Sequence, residues 1–292
     1  MDNEYDSFIS KFINSHLFNI SEQTKKTYKY NLKKFCNWAE SEGLNISSIS
    51  EREIKNYIIY LTSKNISSVR QQKNIIVRFM KFSIGKEFNI KVFVNSNNVK
   101  NKKHVNVLSI EKATELMEMA IERAKKDNNI RDVALLTILF GTGLRVGEIE
   151  SLNRTNLKES YLGAYLDVNV SKKFVRYYQS TRRIPIEPYC DAVLKQYIKL
   201  RNDSNRAMLM SKNGQRLSIR GIQNILKKYG VSSYSIRKMF IMGLIDKGVN
   251  ARQISSIMGY KSTEIVSKYF DSSKDPEYTA FKNLTELYNK DK

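Results

Sequence analysis

The sequence predicts a mostly α-helical protein of two domains, an all-helical N-terminal one followed by an α+β one that carries a small antiparallel sheet. Three observations carry this expectation. In the first part of the chain, apolar residues recur every three to four positions between capping signals. All three prolines, Pro185, Pro188 and Pro276, lie well beyond that part. Two later stretches, Tyr161 to Val170 and Phe174 to Ile186, instead alternate with β-branched and aromatic residues, the period of a strand, and read as a hairpin.

In chain order, Ser21 opens a helix whose apolar positions Tyr28, Leu32, Phe35 and Trp38 or Ala39 share one face, ending near Gly43. Ser50 and Glu53 have the spacing of a capping box for a second helix bearing Ile54, Tyr57, Ile58 and Leu61. A third follows Ser67 or Ser68. At about 100° per residue it puts Ile75, Ile76, Phe79, Met80 and Phe82 on one side and Arg70, Lys73, Arg78 and Lys81 on the other. That basic side is either a solvated face or a phosphate-contacting one. Residues 95–107 are polar and basic without periodicity, Lys102 and Lys103 included, and read as a linker along nucleic acid with a boundary near Val105. Ile110 to Lys126 is an amphipathic helix with acidic residues early and Lys125 and Lys126 late. The apolar helix 131–140 should end at Gly141-Thr-Gly143, placing Arg145 at the start of the next. Asn250 and Gln253 cap a helix running to Met258. Pro276 starts an amphipathic helix of about 276–290 bearing Tyr278, Phe281, Leu284, Leu287 and Tyr288. The expected domains are therefore 1–94 and 108–292, joined by 95–107.

Composition narrows the partners. The net charge is +21 over 292 residues, with 18 Lys and Arg against 9 Asp and Glu in residues 1–110, and 32 against 20 in the rest. Excess charge in both parts excludes a single basic tail, points to nucleic acid as the polyanionic partner and favours a protein that surrounds DNA over a merely lysine-rich one. The two histidines, His16 and His104, both precede Arg145, so histidine-built metal sites, serine–histidine triads and zinc fingers lack their parts. No phosphate-cradling glycine loop supports nucleotide hydrolysis. Cys36 and Cys190 read as packing residues, the first inside a helix and the second in a loop. The apolar run Val133 to Phe140 is far short of the roughly 20 residues of a membrane span, and no N-terminal segment reads as a signal peptide, so a cytoplasmic location is expected.

The residues with chemistry stand in a fixed order: Gly-Thr-Gly-Leu-Arg145-Val-Gly-Glu148, Ser171-Lys172, Tyr234-Ser-Ile-Arg237, Met-Gly-Tyr260 and Lys268-Tyr269-Phe. Taken alone, Arg145 is either a bidentate phosphate ligand at a helix start or a structural ion pair with Glu148. As a set, these segments resemble the active-site boxes of the tyrosine recombinase, or phage integrase, family. The resemblance implies an N-terminal SAM-like core-binding domain and a catalytic domain. It implies Tyr269 as nucleophile, nine residues after Tyr260 as the family spaces them, with Arg145 and Arg237 clamping the phosphate oxygens. Lys172 would be the general acid on the leaving oxygen, with Lys173 as its competitor. The chain departs from the family's His-x-Leu-Arg-His box, since Tyr234 and Lys238 replace both histidines, and Tyr260 stands where relatives have His or Trp. Lys238 is either a phosphate contact or a solvated lysine. No metal or other cofactor is expected. The implied partners are a specific duplex site, a homo-tetramer on DNA for which the 276–290 helix docks on a neighbouring protomer or else on its own domain, and accessory DNA-binding proteins. Three functions fit: a recombinase or integrase of a mobile element, a recombinase-like relaxase that nicks a plasmid transfer origin, and a DNA-binding protein of the same fold without turnover.

Overall fold

The structure is a computed structural model that describes residues 4–64, 66, 68–90, 108–127, 130–169 and 181–273. The chain divides into two compact units, Met1–Lys100 and Asn101–Lys292.

The regular structure of the first unit's described residues is all helical: α1 (Glu4–Lys11), a π-helical turn (Phe12–His16), α2 (Glu22–Ser41), a 3-10 turn (Ile46–Ser48), α3 (Glu51–Ser63) and α4 (Val69–Ile84). The capping signals act as the sequence expects. The Ser21 hydroxyl accepts from the Thr24 N–H at 3.3 Å, and the Glu53 carboxylate accepts from the Ser50 N–H at 2.9 Å. Each cap satisfies a backbone donor that a helix start leaves without an intrahelical partner. The core joins Phe12, Leu32, Phe35, Ile54, Tyr57, Ile76 and Phe79. One expected core residue differs. Phe82, in the last turn of α4, is 37% exposed although the rings of Phe12 and His16 lie against it at 5.3 and 5.9 Å.

The second unit is built around α6 (Arg131–Thr142), buried on nearly every side. Around it lie α5 (Ile110–Asp127), a sheet of β1 (Leu157–Ser160), β2 (Gly163–Asn169) and β3 (Thr181–Pro185), α8 (Pro188–Arg201) and α9 (Ile219–Lys228). The sheet is antiparallel in the order β1-β2-β3, with Leu157 opposite Leu166 and Leu166 opposite Ile184. This row of apolar pairs sets which face turns into the core of the unit. Two expectations are corrected here. The first strand of the expected hairpin begins at Gly163, not Tyr161, since Tyr161 and Leu162 form an exposed two-residue turn to the additional strand β1. The alternation ran through that turn, and the Ser160 hydroxyl, accepting from the Leu162 N–H at 3.2 Å, closes it. Cys190 is not in a loop but buried in α8, whose first residue is Pro188. Residues 174–180 of the expected second strand, the linker 95–107 and the 276–290 helix lie outside the described residues.

Three further helices complete the unit: α10 (Ser233–Asp246), α11 (Ala251–Met258) and α12 (Glu264–Ser273). They share a small core of Ile241, Ile254, Met258 and Val266, against which Tyr260 and Tyr269 pack. Among the described residues, no helix is long and apolar enough to cross a membrane.

Candidate active site

Two left-handed glycines aim the backbone at the site. Gly143 ends α6 with φ +59°, and a Cβ there would lie 2.8 Å from the Phe240 ring, so the chain turns where only glycine fits. The turn delivers Arg145 to the position just before α7 (Val146–Ser151), where Glu148 accepts from its backbone N–H at 2.8 Å and from its Nη1 at 3.0 Å. The ion pair and the cleft-facing placement of Arg145, alternatives on sequence grounds, are thus both present. Gly259 ends α11 with φ +64° and sets Tyr260 over the same cleft.

Arg237 projects from α10 and is 8% exposed, a buried cation that demands partners. It donates from Nη1 to the Gly143 carbonyl at 2.6 Å, from Nη2 to the Met258 carbonyl at 2.7 Å and from Nε to the Tyr260 hydroxyl at 3.1 Å. Arg145 Nη1 donates to the same Met258 carbonyl at 3.1 Å. Both guanidinium groups lie over the Tyr260 ring, 5.1 Å for Arg145 and 4.8 Å for Arg237, where its π-face offsets their charge. Burial lowers the proton affinity of Arg237 and the Tyr260 hydroxyl bond opposes this, so the group stays cationic.

Arg145, Tyr234, Arg237, Tyr260 and Tyr269 line one cavity of about 700 Å³, joined by Lys238, Lys268 and Ile265. Tyr269 is half-buried on α12. Its phenol is held well above the ordinary tyrosine range, first by burial, then by hydrogen bonding to Tyr234 and by the neighbouring Tyr260. Two fixed guanidinium groups facing a protonated phenol can receive a tetrahedral anion and set an oxygen nucleophile beside it.

Five of the six expected catalytic residues therefore meet in one cavity, while Lys172 lies outside the described residues, as do Lys173, Lys102 and Lys103. The other expected DNA contacts lie on α4 of the first unit. There Arg70 is exposed, Lys73 donates to the Ile90 carbonyl at 3.2 Å, Arg78 donates to the Tyr28 hydroxyl at 3.2 Å, and Lys81 pairs with Glu87.

One residue beside the site escaped the sequence reading. Arg182 on β3 has a side chain only 12% exposed, its Nη2 3.0 Å from Glu148 Oε1 in a pair bent away from a straight hydrogen bond, and its Nε donating to the Ile257 carbonyl at 2.8 Å. The signal was available: Arg182 is in phase with buried Ile184, whereas neighbouring Arg183 is 74% exposed. A cation on the inward face of a strand needs a buried partner.

Residues 106–275 match the phage integrase family, and residues 8–90 match the phage integrase N-terminal SAM-like domain. The tyrosine recombinase XerC of Staphylococcus aureus is 23% identical over 266 residues, covering 86% of each chain. Among solved structures, the Tn1549 transposon integrase in complex with transposon right end DNA superposes with a TM-score of 0.66 at 17% identity, over 92% of this chain and 96% of that one. The XerH site-specific recombinase bound to palindromic difH substrate superposes with a TM-score of 0.69 at 14% identity, over 94% and 82%. The family match spans more than half of the chain and takes in the whole cavity of arginines and tyrosines, and on it this chain belongs to the phage integrase family of tyrosine recombinases.

Proposed function

We propose that this protein cuts and rejoins duplex DNA at a specific site through a covalent link to Tyr269, without a metal ion. The observation that carries the reading is the meeting of Tyr269 with Arg145 and Arg237 in one cavity. The Tyr269 oxygen attacks the scissile phosphorus, a phosphotyrosyl bond forms on the 3′ side, the bond to the 5′ oxygen breaks, and that oxygen leaves as a hydroxyl once protonated. Rejoining runs the steps backwards, and bond energy is conserved without a nucleotide cofactor. The guanidinium groups of Arg145 and Arg237 supply the positive charge that the spread-charge transition state needs. Tyr234 and Tyr260, where the family has histidine or tryptophan, contribute hydroxyl and ring contacts to the phosphate. Lys172 is assigned the proton donation to the leaving oxygen.

Similar structures on DNA support the partner: a lambda integrase dimer bound to a COC' core site, as well as the XerH and Tn1549 complexes. In this reading the expected domains 1–94 and 108–292, with Lys102 and Lys103 between them, contact the duplex, and residues 276–290 serve assembly into a tetramer. Accessory DNA-binding proteins and residence on a mobile element belong to the same proposal.

A trapping assay with nicked suicide substrates drawn from the gene's flanking sequence tests it. The expected result is a covalent adduct on denaturing gels that vanishes in Tyr269→Phe while DNA affinity stays nearly intact. Adducts persisting in Tyr269→Phe remove the nucleophile assignment, and binding without adduct by the wild type removes the strand-transfer reading.

A further inference from the structure

We propose that Arg182 is a positioning residue of the strand-transfer reaction, holding Arg145 and the turn that carries Tyr260 in register for the scissile phosphate; this rests on the function proposed above. Arg182 does not line the cavity, yet it joins two of the segments that do, the start of α7 and the turn at Tyr260. Its Nη2 lies 3.0 Å from Glu148 Oε1, the same oxygen that accepts from Arg145 Nη1 at 3.0 Å. One carboxylate oxygen therefore stands between Arg182 and the guanidinium of Arg145. On its other side, Arg182 Nε donates to the Ile257 carbonyl at 2.8 Å, and the next carbonyl, of Met258, accepts from Arg145 and Arg237.

The packing is close. A Cβ on Gly259 would lie 2.9 Å from Arg182 Nη1, so the guanidinium passes under the glycine that precedes Tyr260. Glu148 is 16% exposed and serves two arginines, so removing Arg182 leaves a half-neutralised, largely buried carboxylate with Arg145 as its remaining cationic partner. That carboxylate would draw Arg145 away from the cleft while the turn at Gly259 loses its support. Lysine does not replace the arrangement, since it is a point charge without the planar fork that spans a carboxylate and a carbonyl. Because DNA affinity is spread over many phosphate contacts while the chemical step depends on positioning within about 1 Å, the effect falls on rate.

The test uses the full chain with the suicide substrate. Arg182→Met and Arg182→Lys, checked for native near-ultraviolet dichroism, should cleave about 10²-fold more slowly than wild type, with DNA affinity within about twofold. The decisive substrate carries a neutral methylphosphonate at the scissile position, which reduces the demand for the Arg145 charge. On it, the deficit of either variant should shrink by about tenfold or more, which a general loss of structure would not produce. Wild-type rates in both variants, an unchanged deficit on the methylphosphonate, or affinity falling as far as rate each overturn the proposal. Absence of any Tyr269-dependent adduct in the wild type is a different outcome: it removes the strand-transfer reading, and the role of Arg182 with it.

Discussion

In the proposed reaction the phenol of Tyr269 must lose its proton before it attacks, and its surroundings resist that loss. Burial, the Tyr234 hydroxyl and Tyr260 all raise its pKa, so at neutral pH the neutral form dominates in the free protein. In many acid–base sites a histidine near pH 7 would take the proton, but both histidines of the family's arginine box are tyrosine and lysine here. The sign follows: the reactive phenolate fraction grows as pH rises toward a pKa that lies above the ordinary value of about 10. Single-turnover cleavage should therefore climb by up to about tenfold per pH unit from pH ~7 to ~9, checked by quenched gel assays across that range. A plateau beginning near neutrality would show that another group accepts the proton. At this scale the sequence was informative about identity, since Arg145, Arg237, Tyr234, Tyr260 and Tyr269 stand in recognisable order. It was silent on environment, because the elevation of the Tyr269 pKa comes from groups up to 35 positions away in the chain.

At the scale of elements, the end of α11 organises the site. A helix C-terminus has carbonyls without intrahelical partners and a partial negative charge, both of which favour cations. Here the Ile257 and Met258 carbonyls receive donors from Arg182, Arg145 and Arg237, brought from β3, the start of α7 and α10. Gly259 makes this convergence sterically feasible. Gly259→Ala should cost about 1–2 kcal/mol through its left-handed backbone alone, and more as its Cβ displaces Arg182. Urea unfolding and cleavage rate measured together check this; a variant as stable and active as wild type would show that the close approach relaxes freely. The α11 cap and its end at Gly259 were legible, because Asn250, Gln253 and Gly259 act through local backbone geometry. The β1–β2 turn was misread because alternation alone does not mark where a strand reverses.

For the whole molecule, the charge of +21 is the feature that sets how it meets DNA. Phosphate neutralisation releases counterions, giving a log–log salt slope near −0.9 per phosphate engaged. With six to ten such contacts, affinity should fall about 10³–10⁵-fold between ~50 and ~200 mM salt, measured by fluorescence anisotropy on duplex DNA. A flat dependence would remove the broad electrostatic grip. By itself the sequence determined the helical first unit, the mixed second one, the basic balance of both and the order of the candidate site residues, because caps, periodicity, charge and motif spacing are local properties. Only the tertiary structure decided that Glu148 serves two arginines, that Arg182 reaches the site from an inward strand face, and that two guanidinium groups share the Met258 carbonyl and the Tyr260 ring. Those pairings join positions as much as 113 residues apart, and packing rather than local preference selects which buried charge meets which partner.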